Sequence, residues 1–282
     1  MNIEREARRL GRCLGDLRRV AALVLCLAAG SAWADGPKVL RYDLSLDLTA
    51  TGLAGGLALL SSSVLQSELA PRACRVCTPN SLDASVRNAL VWKDTARASR
   101  WSNVLVGVLP VGLGVWDALA ARAAGDGDAA WIDLLILAEA GMITLDLDQI
   151  MKYSVGRQRP YAYFGSSGGA AVDGDRDAFL SFFSSHTAFA FTEAAAAGTI
   201  ARMRGYSSWP AVYAAGFAVS GTIGYLRIAA DKHYLTDVLV GAAVGTAIGF
   251  AVPLLLHPAE SGSGSSGGAR VLPTAGGIAF VF

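Results

Sequence analysis

Leu226-Arg227-Ile228-Ala229-Ala230-Asp231-Lys232-His233-Tyr234-Leu235-Thr236-Asp237 sets four charged residues and a histidine between two long apolar runs. Charge held against membrane or core must be paired, hydrated or in use, so a cluster at this depth is a functional-site hypothesis by default. If the run after Lys232 is helical, His233 and Asp237 stand one turn apart on one face. A carboxylate so placed can hold one imidazole nitrogen and leave the other free as nucleophile or base. The competing reading is a helix end with an ordinary ion pair, and this stretch alone does not choose between them.

Outward from it, the chain is a succession of apolar runs: Leu48 to Leu65, Asn103 to Ala121, Ala130 to Ile150, Ser181 to Met203, Trp209 to Leu226 and Tyr234 to Leu256. No run alternates with period two long enough to build a sheet, so the expected fold is all-α, a transmembrane helical bundle of about five or six spans. Its glycines and alanines suit close helix packing in lipid. A mean hydropathy of +0.41 agrees with membrane rather than cytosol. A net charge of +1 with no basic face argues against nucleic acid as a partner.

Residues 1–34 read as an export signal, with an arginine-rich start, a short apolar stretch and Ala32-Trp33-Ala34 before the cleavage point. An uncleaved anchor is the alternative, against which the short apolar stretch argues. Cys13 and Cys26 would leave with the signal. Residues 35–102 would then hold an N-terminal helix and an exterior loop carrying Cys74-Arg75-Val76-Cys77, residues 103–257 the catalytic bundle, and residues 258–282 a Gly/Ser linker with a short tail. In a reducing compartment the cysteine pair would suggest a redox or metal half-site; after an export signal, a local disulfide between Cys74 and Cys77 fits better. The tail beyond the linker fits a short strand or an apolar plug. His257, beside Pro258, reads as a capping or interfacial histidine.

Three polar clusters recur at helix ends: Lys152 to Pro160, Phe182 to Thr187, and the opening stretch. Two runs separate the second from the third, so an antiparallel bundle brings them to one side. Lys152, Arg159 and Arg227 supply positive charge, and the arginines a fork that suits phosphate oxygens. Ser184 and the backbone N–H groups of Ser184 to His186 open a helix, where peptide dipoles favour an anion. His186 and His233 remain for proton and bond chemistry. No cluster of metal ligands accompanies them, so no metal or cofactor is expected, and stabilisation must come from the cations. Singly, Lys152, Arg157 and Arg159 would read as interfacial residues snorkelling to headgroups, His186 as a satisfied bundle histidine and Ser184 as a helix cap.

The order Lys152, six residues, Arg159-Pro160; Ser184-x-His186; then Arg227, five residues, His233, three residues, Asp237 resembles the tripartite signature of the type 2 phosphatidic acid phosphatase family. That superfamily also holds soluble bacterial acid phosphatases and vanadium haloperoxidases. The resemblance implies that His233 attacks phosphorus to form a phosphohistidine, that Asp237 orients its ring, and that His186 protonates the leaving oxygen and then activates water. It implies that Lys152, Arg159, Arg227, Ser184 and the Ser185 amide hold the phosphoryl oxygens. Where the family usually has Pro-Ser-Gly-His, this chain reads Phe183-Ser184-Ser185-His186, and Leu226 replaces a serine before the third-motif arginine. A backbone amide survives the change from Gly to Ser, although a side chain now crowds the approach.

The expected function is therefore a metal-independent phosphatase of a phospholipid or polyprenyl (di)phosphate, in a bacterial inner membrane with its site facing the periplasm. Phosphatidate, phosphatidylglycerophosphate, a polyprenyl diphosphate and lipid A phosphates all fit. Other readings are a soluble periplasmic acid phosphatase, a vanadium haloperoxidase-like enzyme and a non-catalytic headgroup binder. A spanning Leu48 to Leu65 after a cleaved signal would put the motifs inside, so that segment is expected to lie in the interface or to pack without crossing. Asp231 and Lys232 are read as solvated turn residues.

Overall fold

The computed structural model describes residues 38–165, 175–260, 270–274 and 277–281. The expected signal, 1–34, and the linker Ser261 to Gly268 lie outside these. Among the described residues the chain is helical: α1 (Leu44–Leu59, continued by a π-turn, Leu60–Val64), α2 (Gln66–Leu69), α3 (Ser81–Leu90), α4 (Thr95–Ala123), α5 (Ala129–Val155), α6 (Pro160–Phe164), α7 (Ser185–Arg204), α8 (Trp209–Ala229) and α9 (Leu235–Ala251, continued by a π-turn, Val252–Leu256). The tail forms one antiparallel ribbon, β1 (Arg270–Thr274) with β2 (Gly277–Val281), so of the two readings of the tail the strand is the one observed.

Six long helices stand where the sequence places six apolar runs, and local chemistry sets their ends. Asp43, Asn80 and Asp94 accept backbone N–H groups at the starts of α1, α3 and α4. Gly205 closes α7 in the left-handed conformation. Leu44–Val64, Thr95–Ala123 and Leu235–Leu256 are long and apolar enough to cross a membrane by length and composition. The long helices α5 and α7 instead place acids inside the bundle, Asp133, Glu139 and Asp148 on α5 and Glu193 on α7.

Helix α7 is the central one. Fourteen of its 20 residues are buried, against α4, α5, α8 and α9, which explains an alanine-rich sequence with little amphipathic pattern. Its closest neighbour is α9, where Gly241, Gly245 and Gly249 recur every four residues and face Ser184, Ala188 and Thr192 of α7. A Cβ on Gly245 would land on the Ala188 carbonyl oxygen. The approach also lets Thr192 Oγ1 donate to the Gly245 carbonyl at 3.1 Å. Gly245→Ala is therefore expected to destabilise the protein by about 1–3 kcal/mol, from forced separation of the pair. Gly56→Ala on α1, where nothing lies within 4 Å of the added carbon, should be neutral or slightly stabilising. Thermal unfolding of both variants in detergent checks this; equal melting points would refute the close-contact argument.

Helix α1 packs against α5 and runs the length of the bundle. At its start, the Arg41 N–H donates to the Pro258 carbonyl at 3.0 Å and Arg204 Nη1 donates to the Lys38 carbonyl at 3.1 Å. At its far end, Tyr153 Oη donates to the Ser61 carbonyl at 2.6 Å, beside the first motif. Residue 38 and the motifs therefore sit at opposite ends of the bundle. If α1 crosses a membrane, a leader cleaved after Ala34 and an exterior site are alternatives rather than companions.

Candidate active site

The three motifs converge at one end of the bundle. Helix α5 delivers Lys152 from its last turn and stops at Gly156, whose φ of 60° is left-handed. A Cβ there would press on Pro71 and Arg75 at 3.2 and 3.3 Å, so glycine also admits the preceding loop. Pro160 then opens α6 directly after Arg159. Ser184 is the N-cap of α7, and Arg227 lies in the last turn of α8. The turn to α9 folds back on itself, with the Lys232 and His233 N–H groups both donating to the Arg227 carbonyl at 3.1 and 3.3 Å.

His233 is 1% exposed, and its Nδ1 lies 2.7 Å from the Ser181 carbonyl. A carbonyl only accepts, so Nδ1 carries the proton and Nε2 keeps its lone pair. Arg159 Nη1 lies 3.0 Å from that lone pair. Burial, then Arg159, Arg227 and Lys152, hold the imidazole well below the usual histidine range, leaving it a free base at neutral pH. The same three cations act on His186, which places both histidines at one cationic focus. His186 Nε2 is 2.8 Å from Asn103 Oδ1.

Asp237 does not sit where the sequence places it. The helix begins at Leu235, two residues after His233, so Asp237 serves its first turn, accepting from the Tyr234 N–H at 2.9 Å. Its Oδ2 is 3.8 Å from His233 Nδ1, farther than the Ser181 carbonyl. Ser181 joins the two, giving its carbonyl to His233 and its hydroxyl to Asp237 at 2.6 Å. Asp237 in turn pairs with Arg157 at 2.5 Å, and Arg157 pairs with Asp83 of α3 at 2.6 Å. Thr236 completes the network, its N–H and hydroxyl both donating to Asp83 at 2.9 and 2.7 Å. Arg157 is thus no snorkelling residue but a buried tie between motifs one and three.

The remaining expected residues are also placed. Lys152 pairs with Asp148 at 2.8 Å and meets the Ser185 hydroxyl. Ser184 is fully buried; its hydroxyl bonds Thr187 at 2.9 Å, and its N–H donates to the Asp237 carbonyl at 3.2 Å. Arg227 donates to Ser102 at 3.1 Å, while its buried Nε has no hydrogen-bond partner among the described residues, a donor left for an anion. Arg159 pairs with the half-exposed Asp177 at 2.8 Å. Leu226 packs with Ala98, Ala229 and Ala230 and so faces α4 rather than the cations.

Asp231 and Lys232 are not solvated turn residues. Asp231 is 7% exposed, adopts a left-handed φ of 59° and is gripped by both nitrogens of the Arg87 fork at 2.7 and 2.6 Å. Lys232 lies over the Tyr161 ring at 4.4 Å. His257 is the C-cap of the turn that continues α9, and it is buried against Glu139, far from this site. Cys74 and Cys77 are disulfide-bonded, and their loop is pinned on the first motif, with the Arg75 N–H donating to the Gly156 carbonyl at 2.9 Å and the Gln158 N–H to the Val76 carbonyl at 3.0 Å. A cavity of 820 Å³ lined by Arg202, Tyr206, Trp209 and Tyr213 lies at the opposite end and takes no part in this cluster.

Residues 130–260 match the family profile described as PAP2 superfamily. A curated relative, the lipid A 1-phosphatase of Porphyromonas gingivalis, is 33% identical over 121 residues, which is 43% of this chain and 23% of the relative. The chain therefore spans about a quarter of the length of the curated relative it matches. No solved structure matches it.

Proposed function

We propose, from the match of residues 130–260 to the PAP2 superfamily profile, that this chain is a phosphatase of a membrane lipid phosphate. The observation that carries this reading is the pairing of a free-base His233 with an orphaned Arg227 donor and two further cations at one end of an apolar bundle. A lipid headgroup stands at that end when its chains lie along the helices. The lipid A 1-phosphatase relative supports a lipid as substrate class.

In the proposed reaction a phosphoryl group enters between Lys152, Arg159 and Arg227. Arg159 turns its fork to the phosphoryl oxygens and releases the His233 Nε2 lone pair, which attacks phosphorus. Burial and the three cations hold His186 unprotonated; the entering phosphoryl anion offsets those cations, so the ring takes up a proton from water and passes it to the lipid oxygen as the bond from phosphorus to that oxygen breaks. Water then attacks the phosphohistidine, His186 takes its proton, and phosphate leaves. The Ser181 carbonyl and Asp237 stabilise the positive charge on the His233 ring. The Ser185 amide and Ser184 would complete the oxygen cradle, Ser184 through the helix start it caps. The domain reading keeps residues 103–257 as the catalytic bundle.

Phosphate release by purified protein, screened across phosphatidate, phosphatidylglycerophosphate, a polyprenyl diphosphate and a lipid A phosphate, tests the reading. Turnover of at least one without added metal or vanadate supports it. Binding without release from all of them would favour the headgroup-binding alternative. Asp177 supplies a second check. Its carboxylate pairs with Arg159 and competes with phosphate for that guanidinium, so Asp177→Asn should lower KM by up to about fivefold, the value of a partly exposed pair, with kcat little changed. A raised KM would give Asp177 a role in holding substrate instead.

We further place the site on the oxidising face, inner membrane to periplasm, because the Cys74–Cys77 disulfide lies on the site's side of the bundle. A cysteine at the exposed Lys93, labelled in intact cells, checks this; protection from impermeant thiol reagents would overturn it.

A further inference from the structure

At the end of the bundle away from the phosphoryl site, three elements bring one ligand-capable side chain each to a single point. Asp47 comes from the first turn of α1, Glu139 from the middle of α5, and His257 from just past α9. All three are buried, at 8%, 7% and 1% exposure. One nitrogen or oxygen of each lies within 4.8 Å of the others. Glu139 is thirteen residues before Lys152 on the same helix, so the cluster lies about 20 Å from the motifs at the 1.5 Å rise of a helix. None of its residues enters the reaction proposed above.

The histidine's hydrogen bonds define what the cluster lacks. His257 Nδ1 lies 3.0 Å from the Arg41 carbonyl, which can only accept, so Nδ1 carries the proton. Nε2 then meets Glu139 Oε2 at 2.7 Å, where the two either share a proton or turn their lone pairs to one ion beside them. Donating the far N–H to a backbone carbonyl while the near nitrogen faces the Glu139 carboxylate is the usual posture of a metal-binding histidine. A proton could bridge the two. The buried group would then hold two carboxylates against one imidazolium, a net negative charge at apolar depth. A divalent ion with neutral imidazole brings the sum of Asp47, Glu139 and His257 to zero. One imidazole nitrogen with two carboxylate oxygens suits zinc or manganese rather than calcium or a thiolate-seeking ion.

We propose that Asp47, Glu139 and His257 bind one divalent cation, zinc or manganese, which fastens α1 to α5 and to the end of α9. Asp47 Oδ2 lies 4.0 Å from His257 Nδ1 and accepts the Asp43 N–H at 2.9 Å, so a small turn of one carboxylate closes the site around an ion. The bridge between Leu40 and Ala259 already holds the two chain segments side by side there. The role is structural, a clasp on the first helix, and it stands whether or not the phosphatase reading does.

The test uses full-length protein in detergent, stripped with chelator and then given zinc or manganese chloride. The expected result is about one ion retained per chain after desalting. Melting should rise by about 5 °C or more at an ion concentration a hundredfold above Kd. Both effects should persist in His233→Ala and disappear in His257→Gln and Glu139→Gln. Cobalt(II) in the wild-type protein should give d–d absorption bands of a histidine-carboxylate site, a readout that needs no variant to fold. Absence of those bands with a metal-independent melting point overturns the proposal and leaves a shared proton in the ion's place. Retained binding in both His257→Gln and Glu139→Gln overturns it as well.

Discussion

His233→Ala is expected to lower phosphate release by at least about a thousandfold while leaving the protein folded. Among the described residues the ring makes two contacts at hydrogen-bond distance, Ser181 on one nitrogen and Arg159 on the other. Asp237 keeps Ser181, Tyr234 and Arg157 without it. The substitution therefore removes the proposed nucleophilic nitrogen and leaves the network that positions it. Loss of a covalent nucleophile in other enzymes costs on the order of a thousandfold or much more. Measured rates, circular dichroism and melting of the two proteins side by side check the result. Release within tenfold of wild type would remove His233 from the covalent step. A phosphorylated intermediate trapped by acid quench should also vanish in the variant.

Arg157→Met should produce the largest loss of stability, about 3–5 kcal/mol, because it strands two buried carboxylates that now share one guanidinium. Asp83 and Asp237 are fully buried, and Arg157 bonds each at 2.6 and 2.5 Å while its fork lies 4.5 Å from the Tyr234 ring. In a chain of this size that loss lowers melting by about 6–20 °C. Adding Asp83→Asn to the variant should recover part of it, since one of the stranded charges is then gone. Arg157→Lys should not rescue, because a single ammonium cannot bridge two separate acids as a fork does. An unchanged melting point in Arg157→Met would show that the carboxylates are held by Ser181, Asn80 and Thr236 alone.

Much of the architecture is legible in one dimension because lipid and core both demand apolar runs. Every long helix coincides with such a run, and Gly156, Pro160 and Gly205 mark ends that turn chemistry dictates. Lys152, Arg159, His186, Arg227 and His233 are legible for the same reason, as ionisable groups at apolar depth. Their supports are not. Ser181 acts through a backbone carbonyl that any residue possesses, so no side-chain pattern announces it. Asp83 lies 74 residues from Arg157 and 153 from Thr236, and only the folded chain brings them together. Asp237 was legible as a partner of His233 but not in its geometry, because the helix start shifts by two residues. His257 looked ordinary because its partners lie 118 and 216 residues away.

The pinned Cys74–Cys77 loop and Asp83 bear on modularity. Both lie before residue 103, where the sequence suggests a boundary, and before residue 130, where the family match begins. Yet one wall of the cationic motif is their backbone and one end of its buried tie is their carboxylate. Residues 130–260 hold the proposed reacting groups, whereas part of what keeps Arg157 in register comes from before them. Transplanting residues 130–260 alone would therefore move the proposed chemistry without part of its scaffold.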